Sequence, residues 1–418
     1  MAIPLRLKTY HQDEAASAAL YHALYHSPLA HRLNIPIKQL HARRSFPAFY
    51  YYTDEIAQIF SSLMAEMRHL TAVTATLPGA AIHAFHRSCL IEEIQSSNAI
   101  EGIRSTRKEI KTAIDEQAAL HSSNRVRLWS TVHQYLKLQQ REEIPFRDSH
   151  DLRAFYDEFL SPEIIRDDPQ NLPDGKIFRQ GPVEVWSKTK IMHHGIVPEE
   201  TIIQYMDRAL CVLQDEKFPG LVRVSLFHYL FGYIHPFYDG NGRTSRFITS
   251  YYLAKFLHPL VAIRLSLTIK RSLRVYYKLF ADTNHQGNYG DLTPFVTGFL
   301  WLVQKSTSRV NEILQERRTK LDVLSQRLKT VIVKKTDWNI YFILLQGHLF
   351  SDDGATVEEI ARTTGQSIRT VHAHLKQYPP AHITVNKSRR AHRFKLSSAF
   401  VATLGASAPA AEEEKSAR

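Results

Sequence analysis

The sequence predicts a mainly α protein that also contains a small β-hairpin and ends in a winged helix-turn-helix domain. Apolar residues recur at helical spacing through most of the chain, for example in residues 54–70 and 81–101. Residues 167–198 are rich in proline and glycine, which favours loops and short strands over a further helix. Residues 356–396 combine two short helical patterns with a strand-like alternation, the order of elements in a winged helix.

The composition excludes several classes of protein. Only two cysteines occur in 418 residues, which argues against a disulfide framework and favours a reducing compartment. No apolar run approaches the roughly 20 residues that span a bilayer, and the N-terminus lacks the apolar stretch of a signal peptide. We therefore expect a cytoplasmic protein without a membrane partner. The length predicts two or three domains.

Patterning along the chain predicts five segments. They are an N-terminal helical region (1–120), a helical core (121–305), a linker helix (306–335), the winged helix-turn-helix (336–404) and a disordered tail (405–418). Residues 221–234 and 243–256 carry many apolar side chains, so both are expected as central buried helices. The linker is predicted from the one-face spacing of Val310, Leu314, Leu321, Leu324 and Leu328. The tail is rich in Ala, Ser and Glu, a composition that cannot build a core.

The most informative run is HPFYDGNGRTSR, residues 235–246, which joins the two predicted central helices. Gly240 and Gly242 tolerate positive φ, so consecutive backbone N–H groups can converge into an anion nest. The helix that begins there adds the positive end of its dipole. Arg243 and Arg246 lie three residues apart on its first turn, and paired guanidinium groups suit phosphate oxygens. The run therefore predicts a phosphate-binding site.

Two further side chains of the run could supply reaction chemistry. Asp239 immediately precedes the nest, where a carboxylate could bind Mg²⁺ that bridges phosphates. His235 ends the preceding helix, and a near-neutral pKa would suit it to take a proton from a hydroxyl. Pro236 is expected to stop that helix and Phe237 to anchor the loop in the core. Each piece alone is more often structural, but their order indicates a nucleoside triphosphate beside a proton acceptor.

The run resembles the signature of the Fic family, HPFx(D/E)GNGRxxR, at every defined position. The resemblance implies an all-helical core with a β-hairpin flap near the site. It also implies transfer of AMP from ATP to a Ser, Thr or Tyr hydroxyl of a target protein, and self-modification. In that reaction His235 would be the general base and Asp239 would hold Mg²⁺. The implied ATP-binding residues of the run are Asp239, Gly240, Asn241, Gly242, Arg243, Thr244, Ser245 and Arg246.

A second segment resembles the flap of the same family. Residues 178–186 predict a small hairpin, and its GPVEVW sequence is similar to the flap strand that pairs with the target peptide. The resemblance implies that Val185 and Trp186 lie nearest the nucleotide. An ordinary surface hairpin is the alternative.

A third segment resembles the adenine pocket of the family. Tyr276, Tyr277 and Asn284 match positions that line this pocket. Tyr277 and Asn284 are seven residues apart, about two helical turns, so they share a helix face. An aromatic ring and an amide on one face suit a purine, although core packing of at least one tyrosine is the alternative.

An upstream segment resembles the inhibitory motif of the family, (S/T)xxxE(G/N). Ser97 and Glu101 are four residues apart and share a helix face, and Gly102 can end that helix. The resemblance implies that Glu101 pairs with Arg246 and occupies the position that the γ-phosphate needs. Taken alone, such a pair on a helix is usually solvated.

The C-terminal module reads as a helix over residues 356–363, a turn at Gly365 and a second helix over 367–378. Val357, Ile360, Ala361, Ile368, Val371 and Leu375 are expected inward, and Arg369, Thr370, His372 and Lys376 outward. A β-hairpin wing follows, with basic residues at Lys387, Arg389, Arg390, Arg393 and Lys395. Between residues 334 and 395 there are ten Lys/Arg against five Asp/Glu. DNA and protein remain open as partners of this module.

The leading hypothesis is thus a self-inhibited protein adenylyltransferase that uses ATP and Mg²⁺. Removal of AMP, or transfer of another phosphate-containing group, is an alternative within the same enzyme class. A DNA-binding regulator whose core only senses nucleotide is the alternative from another class. The presence of His235 and both arginines argues against an inactive core, and a homodimer is implied by the resemblance alone.

Overall fold

The computed structural model describes residues 14–118, 126–187, 190–387 and 391–406. The described part of the chain is mainly helical with a few short strands, so the predicted fold class is confirmed. Predictions for residues 1–13, 119–125 and 407–418 lie outside the described residues. The first two residues of the predicted disordered tail belong instead to the last helix, Ser398–Ala406.

The chain divides into two compact units. The first comprises Met1–Arg68 and Leu90–Arg309, and the second comprises His69–Cys89 and Val310–Arg418. The second unit therefore takes a segment from the N-terminal region as well as the C-terminal part of the chain. In the described residues, no helix is both long enough and apolar enough to cross a membrane.

The elements that lie wholly in the first unit are α1 (Glu14–Tyr25), β1 (Ala30–Ile37), β2 (Phe46–Tyr51), α4 (Arg107–Ala118), α5 (Trp129–Gln140), α6 (Ser149–Phe159), α7 (Ser161–Asp167), β3 (Glu184–Ser187), β4 (Lys190–His194), α8 (Glu199–Gln214), α9 (Gly220–Ile234), α10 (Asn241–Phe256), α11 (Pro259–Ala262), α12 (Leu265–Arg271) and α13 (Leu273–Thr283). Three helices contribute residues to both units: α2 (Asp54–Thr76), α3 (Gly79–Ile100) and α14 (Thr293–Val331). Short 3₁₀ turns occupy Pro169–Asn171 and Gln286–Asn288. β1 pairs with β2, and β3 with β4, both antiparallel.

The centre of the first unit is formed by α9 and α10. Almost every residue of α9 is buried, because its apolar side chains leave no polar face for solvent. The helix ends at His235, whose φ of 55° is left-handed, and α10 begins after Gly240, whose φ is 79°. The loop between two buried helices is therefore held at both ends, a rigid mounting for functional side chains.

The hairpin lies later in the chain than predicted. Its strands are Glu184–Ser187 and Lys190–His194, with Val185 opposite His193, and residues 178–183 precede them as an irregular segment. The prediction for residues 178–186 was wrong in its bounds because Phe178 and Arg179 are fully buried. Their burial fixes residues 178–183 in the core, and this segment does not pair with another strand.

The predicted linker helix is part of a longer one. α14 runs for 39 residues, from Thr293 to Val331, so the one-face pattern at 310–328 is its C-terminal part. Its N-terminal part is buried in the first unit, where Phe295, Phe299 and Leu302 are fully covered.

The elements wholly in the second unit are α15 (Lys335–Phe350), β5 (Ala355–Thr356), α16 (Val357–Thr364), α17 (Ile368–Gln377), β6 (Ile383–Asn386), β7 (Arg393–Leu396) and α18 (Ser398–Ala406), with a 3₁₀ turn at Pro380–His382. The strands form an antiparallel sheet in the order β5-β7-β6. Thr356 and Glu359 form a reciprocal capping box at the start of α16, and Gly365 ends that helix with a φ of 69°. This gives the predicted order of two helices and a hairpin.

Two side chains of the second unit differ from the prediction. Ile368, expected inward, is the first residue of α17 and is 54% exposed. Arg393, expected on a basic wing surface, is buried and forms an ion pair with Glu359 at 3.1 Å. Arg389 and Arg390 lie outside the described residues.

Candidate functional site

The loop between α9 and α10 is closed by the Asn241 side chain. Its Oδ1 accepts a hydrogen bond from the Phe237 N–H at 2.9 Å, and its Nδ2 donates to the Phe237 carbonyl at 2.7 Å. The Phe237 ring is fully buried and stacks on Tyr156 with a centroid distance of 3.7 Å. Asn241 therefore supports the shape of the loop, and its side-chain amide is occupied within the protein.

His235 is placed at the rim of this loop by its left-handed backbone. Its N–H still donates to the Phe231 carbonyl, so the residue closes α9 while its side chain leaves the helix axis. Burial lowers the pKa of His235 to about 4, and nearby Arg179 acts in the same direction. The expectation of a near-neutral pKa was wrong, because the sequence could not show how far the ring is desolvated. The imidazole is consequently neutral at physiological pH and free to accept a proton.

This pKa predicts an unusually acid-tolerant activity. Above about pH 4 the folded protein keeps His235 neutral, so a reaction that needs this base should proceed at a constant rate from pH 8 down to about pH 5. The rate should fall only as the pH approaches about 4, whereas an ordinary histidine would lose half its neutral form near pH 6.5. The measurement is a pH–rate profile, with circular dichroism at each pH as the control for folding. A limb near pH 6.5 that is also present in a Glu93→Gln variant would contradict the neutral buried imidazole, because burial raises the pKa of the Glu93 carboxyl, which interacts with Arg246, to about 7.

The predicted anion nest consists of backbone groups. The first N–H groups of α10, which begins at Asn241, have no carbonyl within the helix to bind and face the loop. Thr244 and Ser245 are buried, and the Ser245 hydroxyl is hydrogen bonded to His228 Nδ1 at 3.1 Å. The side chains of these two predicted ATP-binding residues thus belong to the core, and only their backbone adjoins the nest.

Arg243 is held between two carboxylates. Its Nη2 donates to Asp239 at 3.1 Å, and its Nη1 lies 3.6 Å from Glu163. Both Arg243 and Glu163 are almost fully buried, and burial raises the pKa of Glu163. The guanidinium is therefore oriented before any ligand arrives.

Arg246 is fully buried and fixed by the segment that contains Ser97 and Glu101. Its Nε donates to the Ser97 hydroxyl at 3.1 Å, its Nη2 to the Ser97 carbonyl at 2.9 Å and its Nη1 to Glu101 at 2.8 Å. The Glu101 side chain is 30% exposed, so this ion pair lies at the edge between core and solvent. Ser97 would hold the guanidinium in place without Glu101.

Glu101 immediately follows α3, which ends at Ile100, so it lies just outside the helix that carries Ser97. The Ile103 N–H donates to the Asn98 carbonyl, and Gly102 adopts a φ of 74°, so the glycine closes the helix as predicted. The carboxylate reaches the first turn of α10, where a side chain on Gly242 would collide with it. Glu101 thus lies against the backbone of the nest as well as against Arg246.

The predicted adenine residues are divided between core and surface. Tyr276 is buried and its hydroxyl is hydrogen bonded to His228 Nε2 at 2.9 Å. Asn284, which follows α13, is buried and accepts from the Tyr229 hydroxyl at 2.7 Å. Tyr277 is 49% exposed and remains available to a ligand.

The flap is anchored beside the loop. His193 lies opposite Val185 in the hairpin, and its ring is hydrogen bonded to the carbonyl of Tyr233 in the last turn of α9. Val185 is partly buried, whereas the Trp186 side chain lies outside the described part of the structure. The hairpin strands are therefore attached near His235 as the resemblance implied.

Two contributors were missed by the sequence reasoning. Glu163 lies in α7, far from the run in sequence, and Arg179 precedes the flap. Both are charged residues in apolar surroundings, since Ile164 and Ile165 follow Glu163, and Ile177 and Phe178 precede Arg179. A single charged residue beside apolar residues was therefore the sequence feature that could have indicated these two positions.

The residues present fit a magnesium ion in one respect. The Asp239 carboxylate is 41% exposed and borders the nest, and Mg²⁺ in nucleotide sites commonly uses one or two carboxylates with the phosphates themselves. In the described residues no group of three or more His, Cys, Asp or Glu could hold a metal by itself. A site at Asp239 would therefore depend on the nucleotide.

Comparison with known proteins agrees with this geometry. Residues 148–253 match the model of the Fic/DOC family. The protein adenylyltransferase Fic of Nematostella vectensis is 39% identical over 72 residues, which are 17% of this chain and 15% of that protein. The match therefore spans a small part of the relative's length.

Solved structures show the same fold. A Fic family protein from Desulfovibrio desulfuricans G20 superimposes with a TM-score of 0.52 at 19% identity, covering 84% of this chain and 98% of that one. At this identity the likeness concerns the fold alone. The segment that carries the loop, the nest and both arginines is thus similar to the Fic/DOC family.

Proposed function

We propose that this protein transfers AMP from ATP to a hydroxyl of a target protein, and to itself. The observation that carries the proposal is the loop of residues 235–246, which places a neutral imidazole beside an anion nest and two buried guanidinium groups. The partial likeness to a protein named as an adenylyltransferase supports the choice of ATP and AMP.

The reaction follows from the placement of these groups. The target hydroxyl oxygen would attack the α-phosphorus of ATP, the bond to the oxygen that bridges to the β-phosphate would break, and pyrophosphate would leave. The hydroxyl proton would pass to His235, which is neutral before the reaction. The nest and the two arginines would bind the phosphates, and Mg²⁺ held by Asp239 would neutralise part of their charge.

We propose further that Glu101 inhibits this activity. Its carboxylate occupies the Nη1 donor of Arg246 and lies against the nest at Gly242, both of which a γ-phosphate would need. Like charges repel, so ATP would bind in the productive pose only when Glu101 turns away.

Two labels on ATP distinguish this reaction from its alternatives. We expect the full chain, with Mg²⁺, to retain the label of ATP marked at the α-phosphorus and to release the γ-phosphorus in pyrophosphate. Retention of the γ-label would instead indicate phosphoryl transfer. Loss of bound AMP after ATP is washed away would indicate the reverse reaction. If neither the α-label nor the γ-label of ATP becomes attached to protein, in the parent and in Glu101→Gly alike, the transferase proposal is contradicted.

A second candidate function is DNA binding by the second unit. Arg369, Thr370, His372 and Lys376 are exposed on one helix, α17, and the first residues of such a helix commonly read base edges. We expect the full chain to be retained on duplex DNA at low salt and released as salt rises. Arg369→Ala should weaken retention, while Lys320→Ala, an exposed control on α14, should not. Equal retention of both variants would contradict a DNA-reading role for α17.

A further inference from the structure

Arg179 is a fully buried arginine whose guanidinium, within the part of the chain that the structure describes, donates to main-chain oxygens. Its Nε donates to the His235 carbonyl at 2.9 Å and its Nη1 to the Gly181 carbonyl at 2.6 Å. Its Nη2 donates to the Ile196 carbonyl at 2.9 Å and lies 3.5 Å from the Ile234 carbonyl. One planar group thus joins four separate peptide units.

These four carbonyls belong to two functional segments. Gly181 and Ile196 flank the hairpin on its N-terminal and C-terminal sides, and Ile234 and His235 are the junction of α9 with the catalytic loop. The two segments are also hydrogen bonded to each other directly. The Ile196 N–H donates to the Ile234 carbonyl, and the Gly181 N–H donates to the Tyr238 hydroxyl. Both ends of the flap are therefore fixed to the backbone of the candidate base.

We propose that Arg179 is a positioning residue that sets the distance between the flap strand and the imidazole of His235. The inference rests on the proposed function, in which a peptide paired with the flap must present its hydroxyl to that imidazole. A misplacement of about 1 Å can reduce such a reaction by about 100-fold, so a rigid tie between the two segments has a large effect on rate.

The charge of Arg179 also acts on the base. Burial lowers the pKa of Arg179 to about 10, so the group remains cationic at neutral pH. Burial is the main cause of the low pKa of His235; the Arg179 cation lowers it further, whereas the Glu101 and Asp239 carboxylates act in the opposite direction. Arg179 therefore influences both the position and the protonation of the imidazole, and a variant can separate the two effects.

Three substitutions test the proposal in the full chain carrying Glu101→Gly. Arg179→Met removes the donors and the charge, and Arg179→Lys keeps the charge but cannot reach four carbonyls. Gly195→Ala keeps Arg179 but adds a methyl group that would collide with its Nη2 and with Val183 and would lie 3.3 Å from the His235 Cβ. Arg208→Met is the control, since this exposed arginine donates to a single backbone carbonyl.

We expect all three test variants to lower the rate of self-modification at saturating ATP by about 10- to 100-fold. The ATP concentration at half-maximal rate should change by less than about two-fold, since the nest is intact. Only Arg179→Met should also move the acid limb of the pH–rate profile upward. Amide hydrogen exchange should accelerate in residues 183–196 and 234–240, and not elsewhere.

The outcomes separate this inference from the proposed function. If the Glu101→Gly parent transfers no label, the proposed function and with it the role of Arg179 in transfer are wrong. If the parent is active and the three variants match it in transfer rate and in hydrogen exchange, the positioning role of Arg179 is wrong while the proposed function stands. If Arg179→Met does not fold, Gly195→Ala and Arg179→Lys give the decisive rates. Unchanged exchange in both of these variants would overturn the proposed tie.

Discussion

Replacement of Glu101 by glycine is expected to raise self-modification with labelled ATP by roughly 10- to 100-fold. The substitution removes the carboxylate that binds Arg246 Nη1 at 2.8 Å and lies against Gly242. A hydrogen bond to a charged group contributes about 1.5–3 kcal/mol, which corresponds to this range. Ser97 still holds Arg246, so the arginine should stay oriented for the γ-phosphate.

The matched control is Glu142→Gly. Glu142 is an exposed glutamate that also lies just after a helix end, that of α5, so it reproduces the loss of charge and the added backbone freedom. Its labelling should equal that of the parent. Equal labelling of Glu101→Gly and the parent would show that this ion pair does not restrain the reaction.

The second large effect is expected from His235→Ala, introduced together with Glu101→Gly. Loss of a general base lowers a rate by about 10²- to 10⁴-fold, so labelling should fall to background. ATP binding should be retained within a few-fold, because the nest and the Arg243 and Arg246 contacts do not involve the imidazole. Labelling over time, with isothermal titration of ATP on the same sample, measures both.

The control for this prediction is His150→Ala, an exposed histidine in α6. Transfer by His150→Ala should match the Glu101→Gly parent. Transfer at the parental rate by the His235 variant would remove His235 as the base, and loss of ATP binding would make its role structural.

Much of this arrangement could be predicted because the chemistry is local in sequence. His235, Asp239, the two glycines and both arginines occupy one run, and glycine between two helical patterns already indicates a tight turn. The order of helices was predictable for the same reason, since the periodicity of each helix lies within its own residues.

The rest depends on contacts between distant segments. Arg179 binds carbonyls of residues up to 56 positions away, and two helices and the flap lie between Glu163 and Arg243 in the sequence. The hairpin was misplaced because the burial of Phe178 and Arg179 is decided by the core around Phe237 and His235. A local pattern of residues carries no information about such partners.

The surface charge of the second unit also depends on contacts that the sequence pattern does not show. Arg393 and Lys395 are basic in the sequence, but Arg393 pairs with Glu359 and Lys395 donates to the Asp352 carbonyl. Counting basic residues therefore overstates the surface that is open to phosphates. The outward residues of α17 were predictable, because helical spacing alone separates them from Val371.

The position of Glu101 beyond the last turn of α3 has a consequence for resting turnover. A partly exposed side chain after a glycine-closed helix end can rotate without moving the helix, and such rotations take picoseconds to nanoseconds. On the proposed mechanism, a single ion pair of about 1.5–3 kcal/mol would leave roughly 1–10% of molecules open at any moment. The unstimulated protein would then transfer AMP at a measurable basal rate. An activating signal would only need to shift the fast equilibrium between the paired and unpaired positions of the Glu101 side chain.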